Sequence, residues 1–426
     1  MMKILTYGQV SKEEIFGRVN VLPDLEKTVA DIIENVRSNG DRALAYYSEK
    51  FDHVTLPSFQ VSEKEIQEAV SAIDPAFYSV LQEAAGNIRR FHSSQIREGF
   101  VLKNPDGSYI GQKIIPVDRA GLYVPGGTAL YPSTVLMDAI PAVLAGCKEV
   151  VMVSPPGPDG KINPMILAAA SVAGVSRIFK VGGAQAIAAL AYGTESVPKV
   201  DKIVGPGNAY VAEAKKQVFG KVSIDMIAGP SEILVIADGK SNPSFVAADL
   251  LSQAEHDKMS SAVLITDSEK LAYAVQKEVD RQLNLLPRQE IASASIETNG
   301  KIILTDSIAA AVEVANELAP EHLELCMDNP EEYFPLVRHA GSVFLGRYCP
   351  ESLGDYFGGP NHTLPTMGTA KFSSPLSVDD FIKKTQFTYY TKEAFSGVAE
   401  KIALFAEQEG LTAHARSALI RIEETK

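Results

Sequence analysis

Gln253 and His256 stand three residues apart at the end of an apolar run, residues 245–251. On a helix that spacing puts both side chains on one face. An amide oxygen beside an imidazole nitrogen supplies half of a first-row metal site. Zinc takes such ligands and keeps a position open when it acts on a substrate. A polar helix end facing solvent would carry the same two residues, so the pair is weighed with its possible partners. Glu321 and His322, adjacent at an element boundary, offer two proton acceptors of different affinity, and an imidazole with a pKa of about 6.5 suits proton abstraction at neutral pH. Two solvated loop residues would read the same way. In the Gly- and Pro-rich residues 354–365, Asp355 could be a carboxylate ligand and His362 a second imidazole. Ser231 and Glu232 are polar where a strand begins, as a substrate contact or as turn chemistry. Glu409 and His414 sit five residues apart across Gly410.

The elements that must position these groups follow from periodicity. The first hundred residues read as helical. Residues 24–38 have near-helical apolar spacing and stop at Asn39-Gly40; Ser62-x-x-Glu65 is a capping box; Pro75 opens a helix to about His92. His53 and His92, in polar surroundings, read as surface residues. His339, on a helix over 331–339, reads as structural. From Tyr109 to Leu345, strand candidates at 113–117, 121–124, 149–154, 177–181, 202–204, 233–237, 262–266, 301–305 and 342–345 alternate with helices at 134–145, 165–173, 184–191 and 209–218. This pattern predicts an α/β fold of parallel sheets covered by helices on both faces. The number of strands argues for two α/β units with a break near residues 238–243. After Leu345 the chain turns irregular through Pro365 and is then helical to its end, with an amphipathic last helix at 412–422.

Three of these strands run into glycine-rich loops: Pro125-Gly126-Gly127-Thr128, Gly182-Gly183-Ala184-Gln185 and Gly205-Pro206-Gly207-Asn208. In open α/β sheets ligands bind beyond the carboxyl ends of strands. Glycine lets backbone approach a phosphate, and a helix N-terminus supplies N–H groups and a positive dipole. The loops fit a nucleotide or dinucleotide, and equally the turns of an α/β protein that binds neither. The G-x-G-x-x-G fingerprint is absent, so a standard Rossmann pyrophosphate loop is not supported.

Bulk properties narrow the function classes. A chain of 426 residues suffices for two or three domains, and 46% hydrophobic with 22% charged residues is ordinary for a globular protein. A formal net charge of -13 argues against nucleic acid as partner. There is neither a secretory h-region nor an apolar stretch long enough to span a bilayer, and three scattered cysteines fit a reducing cytoplasm. Cys147 and Cys326 lie in apolar context and read as buried thiols.

Taken together, residues 121–127, 181–187, 205–208, 225–232, 252–257, 319–324, 354–365 and 409–416 closely resemble the histidinol dehydrogenase family, over nearly the whole chain. The resemblance implies that Gln253, His256, Asp355 and His414 hold one Zn²⁺ per subunit and that Glu321 and His322 are the acid–base pair. It implies that Ser231, His362 and Glu409, with the metal ligands and His322, form the substrate pocket, and that Tyr123, Gln185 and Asn208 contact NAD. It further implies a cytoplasmic homodimer acting on L-histidinol, with Glu409 and His414 entering the active site from the partner subunit. The fold implied is two incomplete Rossmann-like domains with small helical terminal segments. The expected division is an N-terminal arm at 1–22, a first α/β domain at 23–126 with 233–375, an inserted α/β domain at 127–232, and a dimerisation tail at 376–426. A zinc hydrolase is a rival reading, but it leaves the glycine loops unexplained and lacks H-E-x-x-H. A hinged two-lobed binding protein is another, and the Glu-His pair counts against it. A relative with the same zinc and NAD sites, acting on a different amino alcohol or hydroxyl substrate, is the third.

Overall fold

The computed structural model describes residues 2–18, 24–126 and 130–423. Gly127 and Thr128 of the first glycine loop, and Met1 and residues 19–22 of the expected N-terminal arm, lie outside the described residues. Strands in chain order are β1 Lys3–Thr6, β2 Phe100–Lys103, β3 Tyr109–Pro116, β4 Arg119–Tyr123, β5 Glu149–Ser154, β6 Arg177–Lys180, β7 Lys202–Val204, β8 Ser223–Ile224, β9 Glu232–Ala237, β10 Ser261–Thr266, β11 Lys301–Leu304, β12 His322–Cys326, β13 Ser342–Leu345 and β14 Ile382–Tyr389. The chain divides into two compact units, Met1–Gln95 with Val117–Phe381 and Ile96–Pro116 with Ile382–Lys426.

The first unit contains two parallel sheets, ordered β6-β5-β4-β7-β8 and β1-β11-β10-β9-β12-β13. Their central strands are apolar without alternation because both faces are covered. In β9, Ile233 and Val235 pack with Val246 and Leu250 on one face. Leu234 and Ile236 pack with Ile308 and Ala311 on the other. The covering helices start and stop where local chemistry dictates. Pro132–Ala145 and Pro164–Ala173 open on proline and close at Gly146 and Gly174, both left-handed at φ 89° and 88°. The Ser62 capping box closes with Glu65 as expected. The second unit holds an antiparallel sheet, β14-β3-β2, and the helices Ala399–Gln408 and Thr412–Glu423.

Several elements depart from the sequence reading. Residues 3–6 are an edge strand on β11, too short to show a period. Residues 382–389, expected helical, pair with β3 along their whole length. Residues 331–339 form two 3₁₀ turns, Pro330–Glu332 and Phe334–Leu336, because Pro335 has no N–H to continue a helix. Residues 351–356 are a helix, so Asp355 is held on regular structure. The two sheets part before β9, since Glu232–Ala237 pairs with β10 and β12, and residues 238–243 lie within the six-stranded part. His92 is not a surface residue. It is wholly buried on the inward face of the Pro75–Ser93 helix, one turn from Ile88. Its Nδ1 lies 2.7 Å from Gln95 Oε1 and its Nε2 3.4 Å from Asn361 Nδ2. Cys326 is buried and Cys147 only half-buried.

Buried polar groups tie the segment around His362 to the five-stranded sheet. Asn361 Nδ2 donates to the Met137 carbonyl at 2.7 Å, and Thr363 Oγ1 donates to Asp138 Oδ1 at 2.8 Å. Beside Asp138 lies the buried Lys215–Asp225 ion pair, which also grips Gly205: Lys215 Nζ donates to its carbonyl at 3.0 Å, and its N–H donates to Asp225 Oδ2 at 2.8 Å. One ammonium thus serves two carboxylates. Burial, with Asp225 adding to it, pushes Asp138 up to about 8 from an ordinary value of 3.8. Between those values the native chain holds a proton that the unfolded chain has lost, so stability falls as pH rises through the window. Asp138→Asn keeps an acceptor for Thr363 without the charge. Its urea midpoint should gain on the wild type steadily from about pH 5 to about pH 9. A constant offset over that range would show that Asp138 does not titrate there.

Candidate active site and metal centre

In the six-stranded sheet, β10 and β11 lie on one side of β9 while β12 and β13 lie on the other. At the amino ends of β9 and β12 stand Ser231-Glu232 and Glu321-His322, with His322 in register with Ile233. The helix Pro243–Ala254 returns the chain from the end of β9 to the start of β10, and Gln253 is in its last turn. His256 lies in the turn beyond the helix rather than on it, and its N–H still donates to the Gln253 carbonyl at 3.2 Å. Helix Glu351–Tyr356 brings Asp355 to the same place. The cluster therefore lies at the amino edge of this sheet, whereas the glycine loops lie at the carboxyl edge of the other.

At the centre, His322, Glu351 and Asp355 each offer a ligand atom within 4.8 Å of the others. Asp355 Oδ1 lies 3.7 Å from His322 Nε2 and 3.7 Å from His362 Nδ1. His362 Nδ1 donates to the Asp355 carbonyl at 3.0 Å, and its Nε2 meets Thr134 Oγ1 at 3.2 Å. His322 Nδ1 donates to the Glu232 carbonyl at 2.9 Å and lies 3.6 Å from Glu321 Oε2, which accepts the Glu232 N–H at 2.8 Å. Glu351 Oε2 accepts from Ser252 Oγ at 2.7 Å, next to Gln253. Glu351 was not singled out from the sequence, although its place four residues before Asp355 on one helix face is the signal for it.

The electrostatics follow from burial and crowding. Burial pushes Glu321 up to about 8. Burial also opposes charge on His322, but Glu321 and then Asp355 more than offset it and leave the imidazole up at about 10. Burial works against the Asp355 carboxylate as well, yet His322 and His362 hold it well below the usual range. Burial lowers His256 and His362, each of which feels Asp355 and His322. Burial raises Glu351 to about 7.

Gln253 tests whether this constellation suits a cation. Its side chain is almost wholly buried, and neither amide atom has a hydrogen-bond partner among the described residues. An orphaned buried polar group costs about 1–3 kcal/mol. A divalent cation accepting nitrogen and oxygen ligands would satisfy such an amide oxygen. The donor set fits such an ion.

The cofactor candidates occupy the five-stranded sheet, at the carboxyl ends of β4, β6 and β7, with β4 and β7 adjacent. Tyr123 ends β4, and its buried hydroxyl accepts the Gly183 N–H at 3.1 Å. Burial pushes that phenol up to about 12. Gln185 is buried in the first turn of helix Gly183–Tyr192. Gly183 has φ 65°, and a Cβ there would come within 2.8 Å of Gln185 Oε1. Asn208 is exposed, and its Oδ1 caps helix Ala209–Val218 through Tyr210 N and Val211 N at 3.1 and 3.2 Å. The Thr134–His362 contact joins the helix that follows β4 to the Asp355 cluster. Ser231 is half-buried at the entrance to β9. Glu409 and His414 belong to the second unit, where Glu409 caps helix Ala399–Gln408 and His414 lies in the first turn of Thr412–Glu423; both are exposed.

One outcome tests the cation reading. Gln253→Leu removes an unpartnered amide, so metal-free protein should keep or gain thermal stability, by up to a few degrees for about 1–3 kcal/mol. The variant should also bind less zinc than wild type by elemental analysis after dialysis. Destabilisation of the chelated variant would mean the amide is satisfied without a metal.

Comparison with known proteins adds a name to this geometry. The sequence model of a family described as "Histidinol dehydrogenase" matches residues 18–422. The chain is 54% identical to a protein named histidinol dehydrogenase from Listeria monocytogenes serotype 4b, over 99% of this chain and 100% of that one. It is 54% identical to one from Bacillus subtilis strain 168, over 98% of each chain. A crystal structure of histidinol dehydrogenase from Elizabethkingia anophelis superposes with a TM-score of 0.95 at 42% identity, covering 100% of this chain and 98% of that one.

Proposed function

Because the chain belongs to the histidinol dehydrogenase family, we propose that it oxidises L-histidinol through L-histidinaldehyde to L-histidine, using NAD and Zn²⁺. The family supports an oxidoreductase of histidine biosynthesis. The observation that carries the reading within this molecule is the buried, unpartnered Gln253 amide, together with the cluster of His322, Glu351 and Asp355 and the bonds of Glu321 and His322 to the Glu232 backbone. The overall change is a primary alcohol plus water and two NAD⁺ to a carboxylate, two NADH and three protons. When bound, NAD⁺ accepts hydride in each oxidation and Zn²⁺ supplies a positive charge that grips the imidazole and amino nitrogens of the substrate.

The chain's own residues do the rest. Gln253, His256, Asp355 and His414 hold the metal, one per subunit, and Ser231, His362 and Glu409 line the substrate pocket. Holding the carbinol carbon fixed converts an encounter into an oriented reaction. His322 Nδ1 is committed to the Glu232 carbonyl, so Nε2 takes the alcohol proton as hydride leaves. A cation held by Asp355 would weaken one of the carboxylate attractions, second to that of Glu321, that raise His322. Glu321 then takes a proton from the water that adds to the aldehyde, and His322 acts again on the hydrate. Tyr123, Gln185 and Asn208 contact NAD. The same reading makes the protein a cytoplasmic homodimer in which Glu409 and His414 serve the partner subunit's site. It divides the chain into an arm at 1–22, α/β domains at 23–126 with 233–375 and at 127–232, and a tail from 376, a partition that limited proteolysis tests. No described helix is long and apolar enough to cross a membrane.

About two NADH should form per L-histidinol, with turnover lost on chelation and restored by zinc. About one would mean that the aldehyde leaves and that Glu321 has another role; none, in zinc-loaded dimer, would move the search to other amino alcohols. His322→Asn should slow turnover by about a hundredfold or more with zinc content unchanged, and wild-type rates would sink the base assignment. His414→Asn should lose bound zinc.

A further inference from the structure

The backbone of Glu232 holds both proposed proton-transfer residues. Its N–H donates to Glu321 Oε2 at 2.8 Å, and its carbonyl accepts from His322 Nδ1 at 2.9 Å. The first bond orients the carboxylate. The second places a proton on Nδ1 and leaves Nε2 as the atom facing Asp355, buried and without a hydrogen-bond partner among the described residues. Both bonds therefore depend on the backbone of one residue, whose N–H and carbonyl belong to the two peptide units on either side of its Cα.

That backbone is itself tied down by the side chain of the same residue. The Glu232 carboxylate is buried. Its Oε1 lies 2.5 Å from Arg18 Nε, and its Oε2 lies 3.4 Å from Arg18 Nη2 and accepts the Met367 N–H at 3.1 Å. Arg18 Nη2 also donates to the Leu318 carbonyl at 2.6 Å. Leu318 is the last residue of helix Ile308–Leu318, three positions before Glu321, and Ala319 between them is left-handed at φ 48°. One planar guanidinium thus joins the two chain segments that meet at the pair: the start of β9 through Glu232, and the approach to β12 through Leu318. Its rigid fork can bridge a carboxylate and a carbonyl together, which a lysine ammonium does less well. The far side is closed by Met367, left-handed at φ 57°, and by Thr366, whose Oγ1 accepts the Gly229 N–H at 2.7 Å.

We propose that Arg18 and the Glu232 side chain are positioning residues for the reaction: their ion pair, braced on Leu318 and Met367, fixes the backbone at Glu232, whose N–H orients Glu321 and whose carbonyl sets the tautomer of His322. Neither touches substrate. The proposal rests on the roles given above to Glu321 and His322, and its test separates the two.

The experiment uses zinc-loaded full-length protein and the variants Arg18→Met, Arg18→Lys and Glu232→Gln. Loss of orientation by about an ångström costs up to about a hundredfold in rate. Arg18→Met and Glu232→Gln should therefore lower kcat for L-histidinol by about tenfold to a hundredfold while KM stays within about twofold and zinc content is unchanged. Arg18→Lys should recover part of the loss. The second readout needs no substrate. In ¹⁵N-histidine-labelled protein, with the His322 signals identified by their loss in His322→Gln, wild type should show His322 with its proton on Nδ1. Arg18→Met should show that population reduced or exchanging. An unchanged His322 spectrum in Arg18→Met overturns the proposal, as does a loss of activity that appears only in KM or only as unfolding. If wild-type protein fails to oxidise histidinol, the functional reading fails, and the spectrum still decides whether Arg18 and Glu232 set the tautomer.

Discussion

The pairing of β9 with β12 is the constraint on which the site depends. Parallel register puts His322 opposite Ile233, and that brings the Glu232 N–H to the Glu321 carboxylate and the Glu232 carbonyl to the His322 ring. A one-residue slip would turn every side chain of β12 to the other face of the sheet. Packing forbids the slip, since Leu323 and Leu325, which share a layer with Leu234 and Ile236, would change places with His322, Glu324 and Cys326. The hydrophobic core thus sets the geometry of the proposed proton-transfer pair without touching it.

Around that pair the molecule concentrates groups that do not want to be charged where they are. Glu321 and Glu351 are pushed upward by burial, and Asp249 and Glu324 behind them are raised for the same reason. Asp355 alone among these carboxylates is held low, because His322 and His362 flank it. A crowd of carboxylates with imidazoles and an unpartnered amide is a poor way to stabilise a fold, but it is the kind of donor set proposed above for a cation. The Asp138, Lys215 and Asp225 group is a smaller case. It accepts a similar conflict and in return fastens the Gly205 turn, the Pro132–Ala145 helix and the chain around Thr363 to one another.

Much of this was present in the residues themselves. Capping boxes, prolines and glycines marked helix ends to within a few positions, and unbroken apolar runs marked the buried parallel strands, because these signals act over a few residues. The glycine-rich turns and the Glu-His dipeptide stood out for the same local reason, and the combination of motifs was enough to suggest the family. Tertiary structure decided the rest. His92 became a core residue because the face of its helix is set by what packs on it. Residues 382–389 became a strand because β3 was there to receive them, and 331–339 broke into turns at Pro335. Glu232, Arg18 and Glu351 entered the site from positions as far apart as 18 and 351, through hydrogen bonds and charge contacts between segments distant in the chain. No local pattern encodes such contacts, since only the folded sheet brings the start of one strand beside the start of another.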